Sequence, residues 1–178
     1  LTSVNIPDSV TTIGKDAFEY CTSLSSVNIG NSVTTIGEMA FADCTNLKEF
    51  TGKYAADGGR CLIIDNTIIA YAEASGTTYN IPDSVTTIGD YAFQFCDSLT
   101  SVNIPESVTT IRDAAFYSCD SLKYVYCKAT TPPVLRGSGV FDNNASGRRI
   151  IVPIGSGEAY ITAEYWSEYA NVIFEDEF

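Results

Sequence analysis

A block of 23 residues recurs along this chain: Leu1, Leu24 and Leu47 are each 23 apart, and so are Leu99 and Leu122. The block reads L-x-x-V-x-I-P-x-S-V-T-T-I-G-x-x-A-F-x-x-C-x-x-L. A fixed period of this length is the signature of a solenoid, in which each repeat buries its apolar side only against its neighbours. That constraint outranks local propensity, because one repeat alone has no core.

Within the first block, Val4 and Ile6 alternate at the period of a strand, and Pro7 ends it because proline cannot donate to a ladder. Asp8 and Ser9 suit a turn. Val10-Thr11-Thr12-Ile13 is β-branched and predicts a second short extended stretch. Asp16 to Tyr20 then predicts about one helical turn, closing at Cys21. Stacking should align Phe18, Phe41, Phe93 and Phe116 in one column, and Ile13, Ile36, Ile88 and Ile111 in another.

The fold class expected is a leucine-rich-repeat solenoid, β-rich with short helical turns, of about six 23-residue coils. A β-hairpin insertion is placed at about 52–76, where two apolar runs flank Asp65-Asn66. The solenoid is assigned to 1–129. The repeat fades after Cys127, and 130–178 is assigned to a C-terminal capping segment of the same domain, with Trp166 over the end of the core. Leu1 already occupies the first repeat position and no signal peptide precedes it, so the chain reads as a fragment or mature portion.

Composition narrows function. Ten Lys and Arg against 22 Asp and Glu give a net charge of −12, the wrong sign for nucleic acid or anionic lipid. Histidine is absent, which removes the commonest general base and metal ligand. No apolar run is long enough to span a membrane. No cofactor is called for, and an enzyme is not expected.

The repeat L-x-x-V-x-I-P-x-S-V-x-x-I-G-x-x-A-F-x-x-C-x-x-L resembles the BspA-like bacterial leucine-rich repeats. IPDSV, IPESV, SVTTIG and A-F-x-x-C carry the likeness, and TPP…VP-x-G…Y…W is similar to the closing segment of gut-bacterial members. Gly30-Asn31 and Arg112 depart from the pattern. The resemblance implies a secreted or cell-surface protein of a host-associated bacterium, linked with adhesion to host protein or glycan. It transfers no catalytic residue and fixes no binding residue.

Four candidate groups remain. Cys21, Cys44, Cys96 and Cys119 share one repeat position, and neighbours in a parallel stack point the same way, so free thiols are expected over disulfides. Cys61 and Cys127 are expected in the core. Asp8, Asp83 and Glu106, with Asn31, recur at one turn; one carboxylate per coil is too few for Ca²⁺, and turn capping explains them. Asn5, Asn28, Asn80 and Asn103 form an outward row beside Ser3, Ser26 and Ser101, either a ligand face or a self-bonded ladder. Tyr124 and Tyr126 replace Ser and Asn there, either exposed as an interaction patch or covered by the following segment. Tyr54 and Tyr71 of the hairpin are expected nearby. The ligand-binding candidates are therefore Tyr124, Tyr126, Asn103, Ser101 and Asn80. The function expected is an extracellular, monomeric binding module for host protein or glycan; the alternative is a spacer that presents other adhesive domains.

Overall fold

Each 23-residue block closes one coil, and a computed structural model describing residues 1–178 shows six coils stacked in sequence. Coil 1 carries β1 (Ser3–Asn5) and β2 (Thr12–Ile13), and coil 2 carries β3 (Ser26–Ile29) and β4 (Thr35–Ile36). Coil 3 opens with β5 (Glu49–Gly52), detours through β6 (Ala55–Ala56) and β7 (Cys61–Ile64), and returns with β8 (Thr67–Tyr71). Coils 4 and 5 repeat the plan with β9 (Thr78–Asn80), β10 (Thr87–Ile88), β11 (Ser101–Ile104) and β12 (Thr110–Ile111). Coil 6 carries β13 (Tyr124–Cys127) and β14 (Val134–Leu135). The chain ends with β15 (Arg149–Pro153), α1 (Gly157–Thr162), a 3-10 turn over Trp166–Val172, and β16 (Ile173–Asp176).

The strands pair in parallel at the repeat period: Val4 with Val27, Val102 with Val125, Ile88 with Ile111. Identical side chains therefore stack. Phe93 and Phe116 stack with centroids 4.8 Å apart and planes 17° from parallel, and Phe116 continues to Phe141 at 5.4 Å. The Leu, Val, Ile and Cys positions form further columns; Leu24, Leu47, Leu99 and Leu122 are all fully buried. Each column shields its neighbours from water, so burial of apolar area is the main stabilising term.

The third segment of each coil is not the helical turn expected from Asp16–Tyr20. In coils 1, 2, 4 and 5 it is a run of turns with two left-handed residues, such as Asp16 and Tyr20, or Tyr91 and Phe95. The reason lies in the hydrogen bonds. The N–H groups of Asp16, Phe18 and Tyr20 donate to the carbonyls of Glu38, Ala40 and Ala42 in coil 2, at 3.1, 2.8 and 3.1 Å. Groups spent on the next coil cannot close an α-helical ring.

All six cysteines are free. The Cys119 thiol donates to the Phe93 carbonyl at 2.9 Å and that of Cys44 to the Phe18 carbonyl at 3.2 Å. Burial pushes the Cys44 thiol up to about 12, so it stays protonated and acts as a small apolar side chain with one donor.

The insertion changes the stack. Asp65 and Asn66 both take positive φ, the conformation a two-residue hairpin turn requires, and β7 pairs antiparallel with β8. β8 then serves as the second strand of coil 3, with Thr67 and Ile68 in register with Thr87 and Ile88. On its other edge lies β7 rather than β4, so the two sheets are each interrupted: β1-β3-β5 and β2-β4 on one side, β9-β11-β13-β15-β16 and β6-β7-β8-β10-β12-β14 on the other. The buried core divides at the same place. Tyr71 takes the aromatic position of coil 3, 5.0 Å from Phe93, but three residues after Ile68, whereas Phe41 and Phe93 follow Ile36 and Ile88 by five. The shortened arc leaves a notch between coils 2 and 4, floored by Ala70, Tyr71 and Glu73. Glu73 is 6% exposed, and burial, with Asp97 and Asp43 nearby, raises its carboxyl to about 7.

The segment from Thr130 adds to both sheets before it covers them. β14 pairs with β12, β15 pairs with β13, and Phe141 extends the aromatic column. The cover itself comes from α1 and the 3-10 turn. Trp166 is fully buried 5.7 Å from Phe141 and donates its indole N–H to the Pro133 carbonyl at 2.7 Å. The Tyr160 hydroxyl donates to the Ala129 carbonyl at 2.8 Å, so both large side chains of the cover are buried with their polar atoms satisfied.

Two predictions follow from packing and charge. Phe93→Ala, in the middle of the longer column, should cost roughly 3–5 kcal/mol in urea unfolding, and a loss below about 1 kcal/mol would refute a tightly packed column. Glu73 favours its acid form in the folded state, so its contribution to stability is present at low pH. That contribution falls as pH rises from the ordinary value of 4.5 toward about 7, and is flat above. Glu73→Gln should remove this slope and gain on the order of 1–3 kcal/mol over the parent at pH 8 relative to pH 5. Parallel pH profiles for the two proteins would contradict it.

Candidate binding face

The outward side chains of the first strands form two rows, set by the strand register. One runs Ser3, Ser26, Glu49 and, beyond the break, Thr78, Ser101, Tyr124, Arg149. The other runs Asn5, Asn28, Thr51 and then Asn80, Asn103, Tyr126, Ile151, Phe174. The same rows are polar over the early coils and, apart from the buried Ile151, aromatic or basic at the C-terminal end.

The asparagines bond to one another. The Asn28 amide donates to Asn5 Oδ1 at 2.7 Å, and Thr51 Oγ1 donates to Asn28 Oδ1 at 3.1 Å. Asn103 likewise donates to Asn80 Oδ1. Each amide thus spends a donor or an acceptor along the ladder. Ser101 and Asn103 are half-buried and Asn80 is exposed.

Tyr124 and Tyr126 stand beside this ladder, half-exposed, with ring centroids 6.3 Å apart and planes 22° from parallel. The segment after Cys127 does not lie over them, because it leaves as β14 to join the other sheet. Tyr126 is met instead by Phe178, edge-on at 6.2 Å. Lys123 Nζ lies 5.7 Å from the Tyr124 ring, and the Arg149 guanidinium 4.2 Å from the Phe174 ring. Phe174 and Phe178 are 39% and 56% exposed. The patch therefore comprises Tyr124, Tyr126, Arg149, Phe174 and Phe178, with Lys123 beside Tyr124.

The hairpin tyrosines do not join it. Tyr71 is buried in the aromatic column, and the Tyr54 hydroxyl donates to the Val33 carbonyl at 3.0 Å on the far side of the break. Arg149, Phe174 and Phe178 were invisible to a strict 23-residue spacing, because Ile150 follows Val125 by 25. A signal was there: Ile150-Ile151-Val152-Pro153 has the V-x-I-P pattern of the first strands. Of the turn carboxylates, Asp8 Oδ1 accepts the Asn31 N–H of the next coil at 2.7 Å, a bond between coils and not a cap of its own turn. No group of three or more Cys, Asp or Glu is placed to hold a metal ion.

A family model described as the BspA type leucine-rich repeat region, in six copies, matches residues 1–55 and 65–163. The chain belongs to the BspA-type leucine-rich-repeat family. The family match extends past Thr130 to 163, in line with β14 and β15 continuing the sheets, and skips 56–64, where the coil detours into the hairpin. Among solved structures, the BspA-type chain is similar to a leucine-rich repeat protein from Eubacterium ventriosum, with 20% identity and a TM-score of 0.56 over 85% of this chain and 53% of that one. The chain thus spans about half the length of that protein. It is also similar to the pneumococcal vaccine antigen PcpA, with 14% identity and a TM-score of 0.47 over 100% of this chain and 68% of that one. A leucine-rich cell surface protein from Faecalibacterium prausnitzii shows 21% identity and a TM-score of 0.43 over 93% and 63%. No curated protein matches the chain. At these identities the likeness is one of fold.

Asn28→Ala removes one donor and one acceptor from a half-exposed ladder, so it should cost about 1 kcal/mol. A loss of several kcal/mol in urea unfolding would show that the ladder, and not the apolar columns, holds the sheet.

Proposed function

We propose that this BspA-type chain is an extracellular or cell-surface binding module that meets a host protein or glycan through the C-terminal end of its first-strand face. The single observation that carries this reading is the break in composition along one row. Asn80 and Asn103 bond to each other, while Tyr126 and Phe174, in the same register, present partly exposed rings beside Arg149. Tyrosine and arginine are among the side chains most enriched at interaction hot spots, tyrosine because its ring offers large contact area with few rotamers to freeze, arginine because its planar guanidinium stacks on rings and makes bidentate hydrogen bonds. The repeat fold supports the reading too, since stacked coils present one long, rigid face. No helix of the chain is long and apolar enough to cross a membrane.

One observation favours a second reading. Over coils 1–5 the face is nearly uniform and its amides are self-bonded, as a spacer would be that holds other adhesive domains away from a surface. The two readings separate by experiment. Binding of the chain to a panel of host matrix proteins and mucin glycans at physiological salt is measured beside a Tyr124→Ala/Tyr126→Ala variant. Saturable binding that falls by about tenfold or more in the variant supports the patch. Binding that the variant keeps places the contact elsewhere, and no binding by either protein favours the spacer.

A further inference from the structure

A seam runs obliquely through coil 3. In the first-strand sheet, β5 pairs with β3 and makes no pair with β9; in the second-strand sheet, β8 pairs with β10 and β4 makes no pair with β8. β5 therefore belongs with coils 1 and 2, and β6, β7 and β8 with coil 4. The core divides along the same line. Leu47 and Phe50 pack with coils 1 and 2, whereas Cys61, Ile68 and Tyr71 pack with coil 4. Leu62, Ala70 and Ala72 are the buried side chains that reach back across it.

Few hydrogen bonds cross the seam. Between coils 4 and 5 the third segments are stitched together, as the N–H groups of Tyr91, Phe93 and Phe95 donate to the carbonyls of Asp113, Ala115 and Tyr117 at 3.0, 2.8 and 3.1 Å. The equivalent N–H groups of coil 2, on Met39, Phe41 and Asp43, make no hydrogen bond, and the Asp90 and Gln94 carbonyls of coil 4 accept none. A cavity of about 20 Å³ lies between them, lined by Phe41, Asp43, Ala70, Glu73 and Gln94, and the buried side-chain oxygen of Gln94 has no partner. One backbone bond joins residues 1–53 to residues 55–178, from the Ala74 N–H to the Leu47 carbonyl at 2.7 Å. Tyr54 bridges the line, its hydroxyl donating to the Val33 carbonyl and its own carbonyl accepting the Ile63 N–H at 2.9 Å. In a solenoid, stability is a sum of coil and nearest-neighbour terms, so the weakest interface is where one part opens without the other.

Glu73 sits at this seam and is held from the coil 4 side. Its carboxylate accepts the Asp97 N–H at 3.3 Å and its backbone carbonyl accepts the Ser98 hydroxyl at 2.6 Å. Asp43 and the Cys44 thiol face it from coil 2, Asp97 and the Cys96 thiol from coil 4, and the Cys119 thiol from coil 5. Neither ion pair of the chain involves it. We propose that coil 3 is a pH-sensitive seam, at which residues 1–53 open as one unit while residues 55–178 stay folded, and that opening becomes easier toward neutral pH because it lets water reach Glu73. The sign follows from the closed state, where burial holds the carboxyl at about 7 against an ordinary 4.5, so the opening constant rises between these values and is level outside them. The Tyr124–Tyr126 patch lies on the unit that stays folded, and the seam does not rest on its role in binding.

The chain carries its own matched reporters. β3 and β11 both read Ser-Val-Asn-Ile, share one burial pattern and lie between two parallel neighbours, so their local structure and intrinsic exchange are alike. The test is native-state amide hydrogen exchange, read by mass spectrometry at pH 5.5 and pH 7.5. At pH 7.5 the β3 amides, together with those of β5, should exchange about tenfold or more faster than those of β11. The ratio of β3 opening constants, parent over Glu73→Gln, should rise about tenfold or more from pH 5.5 to pH 7.5, since the pH dependence of exchange itself cancels. If Glu73→Gln misfolds, the parent's β3 opening constant, corrected for intrinsic exchange, should show the same rise. Equal protection of β3 and β11 would make the stack one cooperative unit and overturn the proposal. Faster exchange in β3 without β5 would reduce it to local fraying and overturn it too. A β3 opening constant that does not change with pH would remove Glu73 from the seam.

Discussion

The coil-to-coil backbone ladder at a fixed register is the interaction on which everything else depends. It makes position n of one coil sit on position n of the next, so a residue suited to the core once is suited every time. Leu, Val, Ile, Phe and Cys columns follow, and burial of their apolar area stabilises the stack. The ladder also settles local conformation. It draws N–H groups from the third segments of coils 1, 4 and 5, and coils 1, 2, 4 and 5 take left-handed turns where a helical turn was expected. Charge plays a small part: the two ion pairs are surface pairs between neighbouring coils, and such pairs contribute little.

The insertion shows what happens when that register is interrupted. β7 lies on the edge of β8 that faces coil 2, so the second-strand ladder is lost there, while the first-strand ladder breaks one coil later, between β5 and β9. The shortened arc of coil 3 then cannot reach the neighbouring backbones. Three N–H groups and two carbonyls are left without partners, together with a buried carboxylate and an orphaned amide oxygen. Other buried polar atoms without a partner, Ser107 Oγ, Asn144 Oδ1 and Arg148 Nε, lie in coil 5 and in the C-terminal segment. At the other end, the register carries the rows of the first-strand face past the last regular repeat and fills them with aromatic and basic side chains.

Much of this was legible in the sequence. The period, the strand positions, the Phe and Leu columns and the free cysteines each follow from residues repeating at 23 and from the parallel geometry that this imposes. The hairpin was legible from Asp65-Asn66 between apolar runs, although its partner edge was not. Arg149 and Phe174 were missed because the spacing stretches to 25, which hides a V-x-I-P strand from a strict period. Tyr71 was misplaced for a related reason: coil 3 reaches its aromatic position two residues early, and only the backbone contact to Ala92 reveals that Tyr71 belongs to the Phe column.

The sequence by itself determined the class of fold and what faces inward, because a repeated pattern needs only its own period to say which side chains meet. It also determined a negatively charged molecule without histidine. The tertiary structure alone decided where the stack is interrupted, which polar groups go unpaired there, and which exposed rings gather beside Tyr124 and Tyr126. Those outcomes depend on the lengths of neighbouring coils relative to one another. A hydrogen bond or a covered ring is a property of two segments at once, and the length difference that breaks or makes it is not written in either one alone.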